Sequence, residues 1–150
     1  MSNIFTGKWI CTPEFENLVP RDVYHKEHSP ANYKTSEDDP KNIHVMFRRM
    51  FAIRKQPGRY ILRISADDYG KYYVNGGFIG QGPTPDYLES YQYNEFDITD
   101  RLANGINMIS AHVYYQGLVN RVWISADLRM GLICDLIAPD GSVILSTDES

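Results

Sequence analysis

The carboxylates and histidines of this 150-residue chain are its candidates for chemistry, and their spacing limits what they can do. Two acidic groups stand out, Asp67-Asp68 and Glu37-Asp38-Asp39. General acid–base work needs two carboxyls that face each other across a substrate, at least one of them with a raised pKa. Adjacent residues at a strand end point to opposite sides, so the side chains of Asp67 and Asp68 are expected to diverge. The Glu37 triplet lies in a polar stretch with no apolar residue to raise a pKa. No Gly-x-Ser-x-Gly nucleophile elbow occurs. His25 and His28 flank Glu27 at a spacing that would present two metal ligands on a helix, but no third ligand accompanies them, and they read as solvated loop histidines. Cys11 and Cys134 lack a second Cys or a His at ligand spacing and read as buried, reduced thiols. No metal, cofactor or catalytic residue is therefore assigned.

The elements that would position these groups are mostly strands. Arg59–Ala66 alternates, with Tyr60, Leu62, Ile64 and Ala66 on one face and Arg59, Ile61, Arg63 and Ser65 on the other. A turn at Asp67-Asp68-Tyr69-Gly70 leads to a second strand, Lys71–Val74, and the two are expected to pair as a hairpin closed by Asn75-Gly76-Gly77. Ile43–Ile53 places Val45, Phe47, Arg49, Phe51 and Ile53 on one face and His44, Met46, Arg48, Met50 and Ala52 on the other. Asn107–Tyr115 turns Ile109, Ala111, Val113 and Tyr115 inward and Met108, Ser110, His112 and Tyr114 outward. Gly131–Ala138 and Ser142–Ser146 flank Pro139-Asp140-Gly141 as a terminal hairpin.

Gly7–Thr12 is a strand candidate anchored by Trp9. Thr12-Pro13 then starts a helix that Pro20 limits to a turn or two. Residues Arg21 to Asn42 read as a long surface loop, and Gln81–Asp86 as a rigid, turn-rich one. Tyr87–Phe96 is extended, and Asp97–Leu102, with Gly105 beyond it, is a single helical turn capped by Asp97 or Thr99. About eight strands with almost no helix make an all-β fold, a two-sheet antiparallel β-sandwich in one domain over 1–150. Its expected core is Trp9, Phe47, Phe51, Leu62, Ile64, Val74, Phe96, Leu102, Ile109, Val113 and Ile133.

Composition narrows the partners. A formal net charge of −4 offers no basic patch beyond Arg48-Arg49 and Arg54-Lys55, which argues against nucleic acid. No run of about 18 apolar residues suggests a membrane span. The N-terminus lacks the pattern of a secretory signal, which favours the cytoplasm if Met1 is the native start.

Three stretches carry a family resemblance: Arg48-Arg49-Met50-Phe51 at the end of a strand, Ser65–Gly76 (SADDYGKYYVNG), and Asp97–Asn107 (DITDRLANGIN). Together they resemble the amino-terminal β-sandwich domain of bacterial α-L-rhamnosidases, a jelly-roll of galactose-binding-domain-like topology. More distantly they are similar to the sugar-binding-type domains that precede the barrels of β-galactosidases. The resemblance covers about half of the chain, and the GKWI stretch fits the usual entry of such enzymes. It implies that catalysis resides in a downstream helical barrel, and that this chain is a domain excised from the N-terminal part of a longer multidomain glycoside hydrolase. The function expected is a non-catalytic accessory module that packs against and positions the catalytic domains. The alternative is a carbohydrate-binding module for rhamnose-containing glycans, and a self-contained enzyme is the third reading. Physically, Asp67, Asp68 and Asn75 suit turns, with sugar ligation as their functional alternative.

The richest surface candidate is Tyr114–Met130, where Tyr114, Gln116, Asn120, Arg121 and Trp123 combine aromatic and polar groups. A sugar site would stack a ring on Trp123 or Tyr114 and bond its hydroxyls to the other three. A docking surface would use the same residue types. Val122-Trp123-Ile124 could also be one more strand. Part of the segment is expected to contact the absent catalytic domains.

Overall fold

The computed structural model describes residues 4–21, 23, 36–84, 90–118 and 125–148. Among the described residues, eight strands form two four-stranded sheets. They are β1 (Ile43–Ile53), β2 (Ile61–Asp67), β3 (Tyr69–Val74), β4 (Gly77–Gly82), β5 (Asn94–Asp97), β6 (Gly105–Tyr115), β7 (Gly131–Ile137) and β8 (Val143–Ser146). One sheet has the order β1-β6-β3-β4 and the other β5-β2-β7-β8, with every pairing antiparallel. One α-helical turn, α1 (Pro13–Glu16), and a 3-10 turn at Thr99–Arg101 complete the fold, which is the expected all-β sandwich.

Period-two alternation builds the core. Leu62 and Ile64 of β2 face Ala111 and Val113 of β6 in the space between the sheets, joined by Tyr72, Val74, Leu132 and Leu136. The inward faces assigned to β1, β2 and β6 hold. Those of β1 are only half-buried, because β1 is an edge strand, and Phe47, Phe51 and Phe96 line the core rather than fill it. Leu102, Ile109, Val113 and Val74 are buried as expected.

Several expectations need correction. Arg59–Ala66 and Lys71–Val74 are not a hairpin. β2 ends at Asp67 and β3 begins at Tyr69 in the other sheet, so Asp68 is the crossing point between the layers. The hairpin is β3–β4, turned at Asn75 (φ 50°) and Gly76 (φ 79°). Gly7–Thr12 forms only one bridge, Ile10 to Leu132, where it takes the edge of β7 beyond the end of β8. Trp9 is 43% exposed, because the neighbouring chain is tied down by backbone and carboxylate bonds rather than by its ring. Ile133 is buried, but alternation puts it opposite the core residues Leu132 and Cys134. Cys11 is exposed and Cys134 buried, both as free thiols. Most of the expected loop after Arg21, including His25 and His28, lies outside the described residues.

The recurring motif residues have structural tasks. Asn75 Nδ2 donates to the carbonyl of Arg101 (2.8 Å) and to Asn107 Oδ1 (2.9 Å), while its own Oδ1 accepts from the Met108 N–H (2.8 Å). Asp97 Oδ1 accepts from the Thr99 N–H and hydroxyl, and Thr99 Oγ1 accepts from the Tyr60 N–H. The expected helical turn is thus a 3-10 turn locked between the sheets.

Candidate functional site

β2 ends on a carboxylate, the chain crosses at another, and a third arrives from the loop before β7. Asp67, Asp68 and Asp127 meet in a cluster that is largely withdrawn from water. The expected divergence of Asp67 and Asp68 does not occur: the two carboxyls lie close enough to interact, and the contact raises the pKa of Asp67 and lowers that of Asp68. The alternation argument fails here because the chain leaves one sheet for the other at Asp68, so the two residues do not share one regular strand.

Burial raises all three acids. Asp67 is pushed well above the carboxylate range by desolvation, then by the charges of Asp127 and Asp68, against a lowering bond from Tyr91. Desolvation takes Asp68 up to about 7, against hydrogen bonds from Ser125 and the Gln116 N–H that favour its charge. Asp127 rises to about 6 through burial, opposed by its bond from the Arg129 N–H. Asp68 Oδ2 accepts from Ser125 Oγ (2.6 Å) and Gln116 N (2.8 Å), and Ser125 Oγ in turn accepts from Gly117 N (2.8 Å). Asp68 Oδ1 and Asp127 Oδ2 are buried without a partner.

Asp67 is the member of the cluster that reaches a surface cleft. The cleft encloses about 680 Å³, and its wall includes Trp9, Tyr91, Phe15, Glu16, Asp67 and Arg129. Trp9 and Tyr91, 43% and 40% exposed, stand with ring centroids 5.1 Å apart and planes tilted by 53°. Gly131 lets the indole lie close, since a Cβ there would sit 3.1 Å from Trp9 Cε3. Tyr91 Oη donates to Asp67 Oδ2 at 2.8 Å, and burial together with that carboxyl raises the phenol above its ordinary pKa. The cleft thus combines an aromatic wall with one acid, one guanidinium and a rim carboxyl, a few polar groups converging on an apolar surface. Of the acids around it, Asp67 and Glu16 line the cleft, whereas Asp68 and Asp127 do not. Among the described residues, no group of three or more His, Cys, Asp or Glu is arranged to hold a metal ion. No helix among them is long and apolar enough to cross a membrane.

Of the residues singled out in Tyr114–Met130, the two described ones, Tyr114 and Gln116, lie apart. Tyr114 lies on the outer face of β6, stacked on His44 at 4.6 Å, away from the cleft. Gln116 enters the acid cluster through its backbone. Asn120, Arg121 and Trp123 lie outside the described residues. The sequence reading missed Trp9 as a surface ring, Tyr91 as its partner, and Asp127. One signal pointed to Asp127: the tetrapeptide Ile-Ser-Ala-Asp occurs at 64–67 and again at 124–127, and both of its aspartates join the cluster.

Neither a family model nor a curated protein matches the chain. Solved structures do. A GH78 family rhamnosidase of Bacillus sp. GL1 is 30% identical over 77% of this chain, with a TM-score of 0.66. An α-L-rhamnosidase from Dictyoglumus thermophilum is 25% identical over 71%, with a TM-score of 0.58. A lectin from Pleurotus ostreatus, in complex with GalNAc, shares the fold alone: it is 19% identical over 96% of this chain and 34% of its own, with a TM-score of 0.55. The match spans 12% of the Bacillus chain and 13% of the Dictyoglumus chain. In fold and in sequence, this chain is a β-sandwich similar to a domain-sized part of GH78 α-L-rhamnosidases.

Proposed function

We propose that the chain is a non-catalytic accessory module of an α-L-rhamnosidase-like glycoside hydrolase, packing against and positioning the catalytic domain. The observation that carries this reading is the match to a small, domain-sized share of a rhamnosidase at 30% identity. A second observation supports it: the outer face of the β1-β6-β3-β4 sheet exposes Met46, Met50 and Ile106 (65%, 63% and 70%), with Phe78 and Tyr114 on the same side. Apolar groups gathered on a flat sheet face suit a protein neighbour. Tyr114 on this face keeps the docking role proposed for Tyr114–Met130, in which Arg121 and Trp123 take part. The test is to read the whole gene and compare the intact protein with a version lacking residues 1–150. The intact protein is expected to hydrolyse an aryl α-L-rhamnoside and to lose thermal stability on deletion. A gene without a glycosidase, or hydrolysis by the 150-residue chain itself, overturns the proposal.

The Trp9–Tyr91 cleft favours a second reading, a module that also holds rhamnose-containing glycans. Calorimetric titration with L-rhamnose and a rhamnose-containing polysaccharide tests it. Saturable binding abolished by Trp9→Ala supports the cleft, and binding abolished only by Trp123→Ala places the sugar in Tyr114–Met130 instead.

A further inference from the structure

On the outer face of β1 and β6, far along the chain from one another, two histidines converge. His44 Nδ1 lies 3.0 Å from His112 Nε2, with ring centroids 5.1 Å apart and planes 37° from parallel. The register explains the meeting: His44 is opposite Tyr114 and His112 is opposite Met46, so the histidines are diagonal neighbours on one face. Tyr114 stacks on His44, with ring centroids 4.6 Å apart.

We propose that His44 Nδ1 and His112 Nε2 form a two-imidazole chelate for a divalent first-row transition metal, with copper(II) bound most tightly. Metal–imidazole bonds of about 2.0–2.1 Å at angles between square and tetrahedral place the two nitrogens roughly 2.9–3.3 Å apart, and the observed separation lies in that range. The contact is exposed in the isolated chain, so both rings are able to swing out of their head-on contact until the two lone pairs converge on one ion, and water can fill the remaining positions.

In the metal-free neutral pair one of these nitrogens carries the proton and the other accepts it. On binding, that proton moves to the distal nitrogen of the same ring through solvent, so both facing nitrogens become ligands without a change in net protonation. The described residues on this face of β1, β6 and β3 include no carboxylate, and Met46 opposite His112 adds a thioether to the patch. That donor set disfavours calcium and magnesium, and among divalent ions imidazoles follow the order that peaks at copper. Lys71, opposite His112 on β3, opposes a cation, but the position is open to solvent and salt screens it.

The experiment is a titration of the full 150-residue chain with copper(II), followed by calorimetry and electron paramagnetic resonance in the presence of a glycine competitor. The expected result is one site with two equatorial nitrogens. Its affinity falls about tenfold or more in either His44→Gln or His112→Gln, the range seen when a metal loses a supporting group. A His25→Gln/His28→Gln variant, which removes the other two histidines, retains it. Circular dichroism melts confirm that the variants are folded, which their surface position makes straightforward. Equal affinity in the wild type and the His44→Gln or His112→Gln variants, or loss of the site in the His25→Gln/His28→Gln variant alone, overturns the proposal.

Discussion

Asn75 donates a 2.9 Å hydrogen bond to Asn107 Oδ1, tying the β3–β4 turn to the start of β6. Asn107 is almost fully buried and saturated: its Oδ1 also accepts from Ala103 N, and its Nδ2 donates to the carbonyls of Ala103 and Gly105. Asn107→Ala removes these bonds, although Ala103 and Gly105 themselves are exposed. Urea unfolding is expected to register a loss of roughly 1–3 kcal/mol, since each hydrogen bond contributes about 0.5–1.5 kcal/mol. A loss under about 0.5 kcal/mol would show that water replaces the side chain.

The acid cluster gives the chain an unusual pH dependence. In the unfolded chain its aspartates ionise near pH 4, whereas in the folded chain Asp127 holds its proton to about 6 and Asp68 to about 7. The folded state therefore binds more protons across that window, and stability falls as pH rises from about 4 to 7. Below about pH 4 both states are protonated and the penalty vanishes. Asp127→Asn should flatten this slope and stabilise the protein at pH 8 by roughly 1–3 kcal/mol. Urea midpoints measured at pH 4.5 and pH 8 check it, and an unchanged difference between the two would refute the assignment.

The cleft and the core respond differently to truncation. Leu136→Ala, at a fully buried position, is expected to cost roughly 2–5 kcal/mol. Trp9→Ala is expected to cost about 1 kcal/mol or less, because a half-exposed ring forfeits little transfer energy. Gly131→Ala, whose added methyl meets the Ile10 carbonyl at 3.0 Å and the indole at 3.1 Å, should displace the Trp9–Ile10 segment and shift the Trp9 fluorescence while the far-ultraviolet dichroism stays native. If Trp9→Ala proved as damaging as Leu136→Ala, the ring would belong to the core after all.

The exposed sheet face makes a separate claim. Met50→Asp and Ile106→Asp, both at strongly exposed positions, should change the stability of the 150-residue chain by no more than about 0.5 kcal/mol. In a longer rhamnosidase-like protein the same substitutions should lower the melting temperature, because a buried unpaired carboxylate is costly. Equal melting temperatures for the substituted and unsubstituted longer proteins would remove this face as a docking surface.

What the sequence made legible was the pattern within each strand. Residues 43–53, 60–66 and 107–115 each bury one face, and period-two alternation exposes that directly. Which sheet a strand joins is not written in its own residues. Asp67 and Asp68 are turn formers wherever they occur, and only the pairing of β2 with β7 and of β3 with β6 turns that bend into a crossing. The candidate site was less visible for the same reason. Trp9, Tyr91, Asp67 and Asp127 meet through contacts between distant segments, and an exposed Trp runs against the usual burial of large rings.

Asp135 receives the Thr6 and Gly7 N–H groups and the Ser146 hydroxyl on one buried carboxylate, at 2.7, 2.9 and 2.7 Å. Beside it, Lys8 N bonds to the Thr147 carbonyl and Thr147 N to that of Cys134. The first and last described segments are therefore gripped by the same few residues of β7. In mechanical terms, tension applied between residues 4 and 148 would load this clasp first and leave the strands of the sandwich slack. Its rupture force, not that of the hydrophobic core, would set how hard the module can be pulled before it yields.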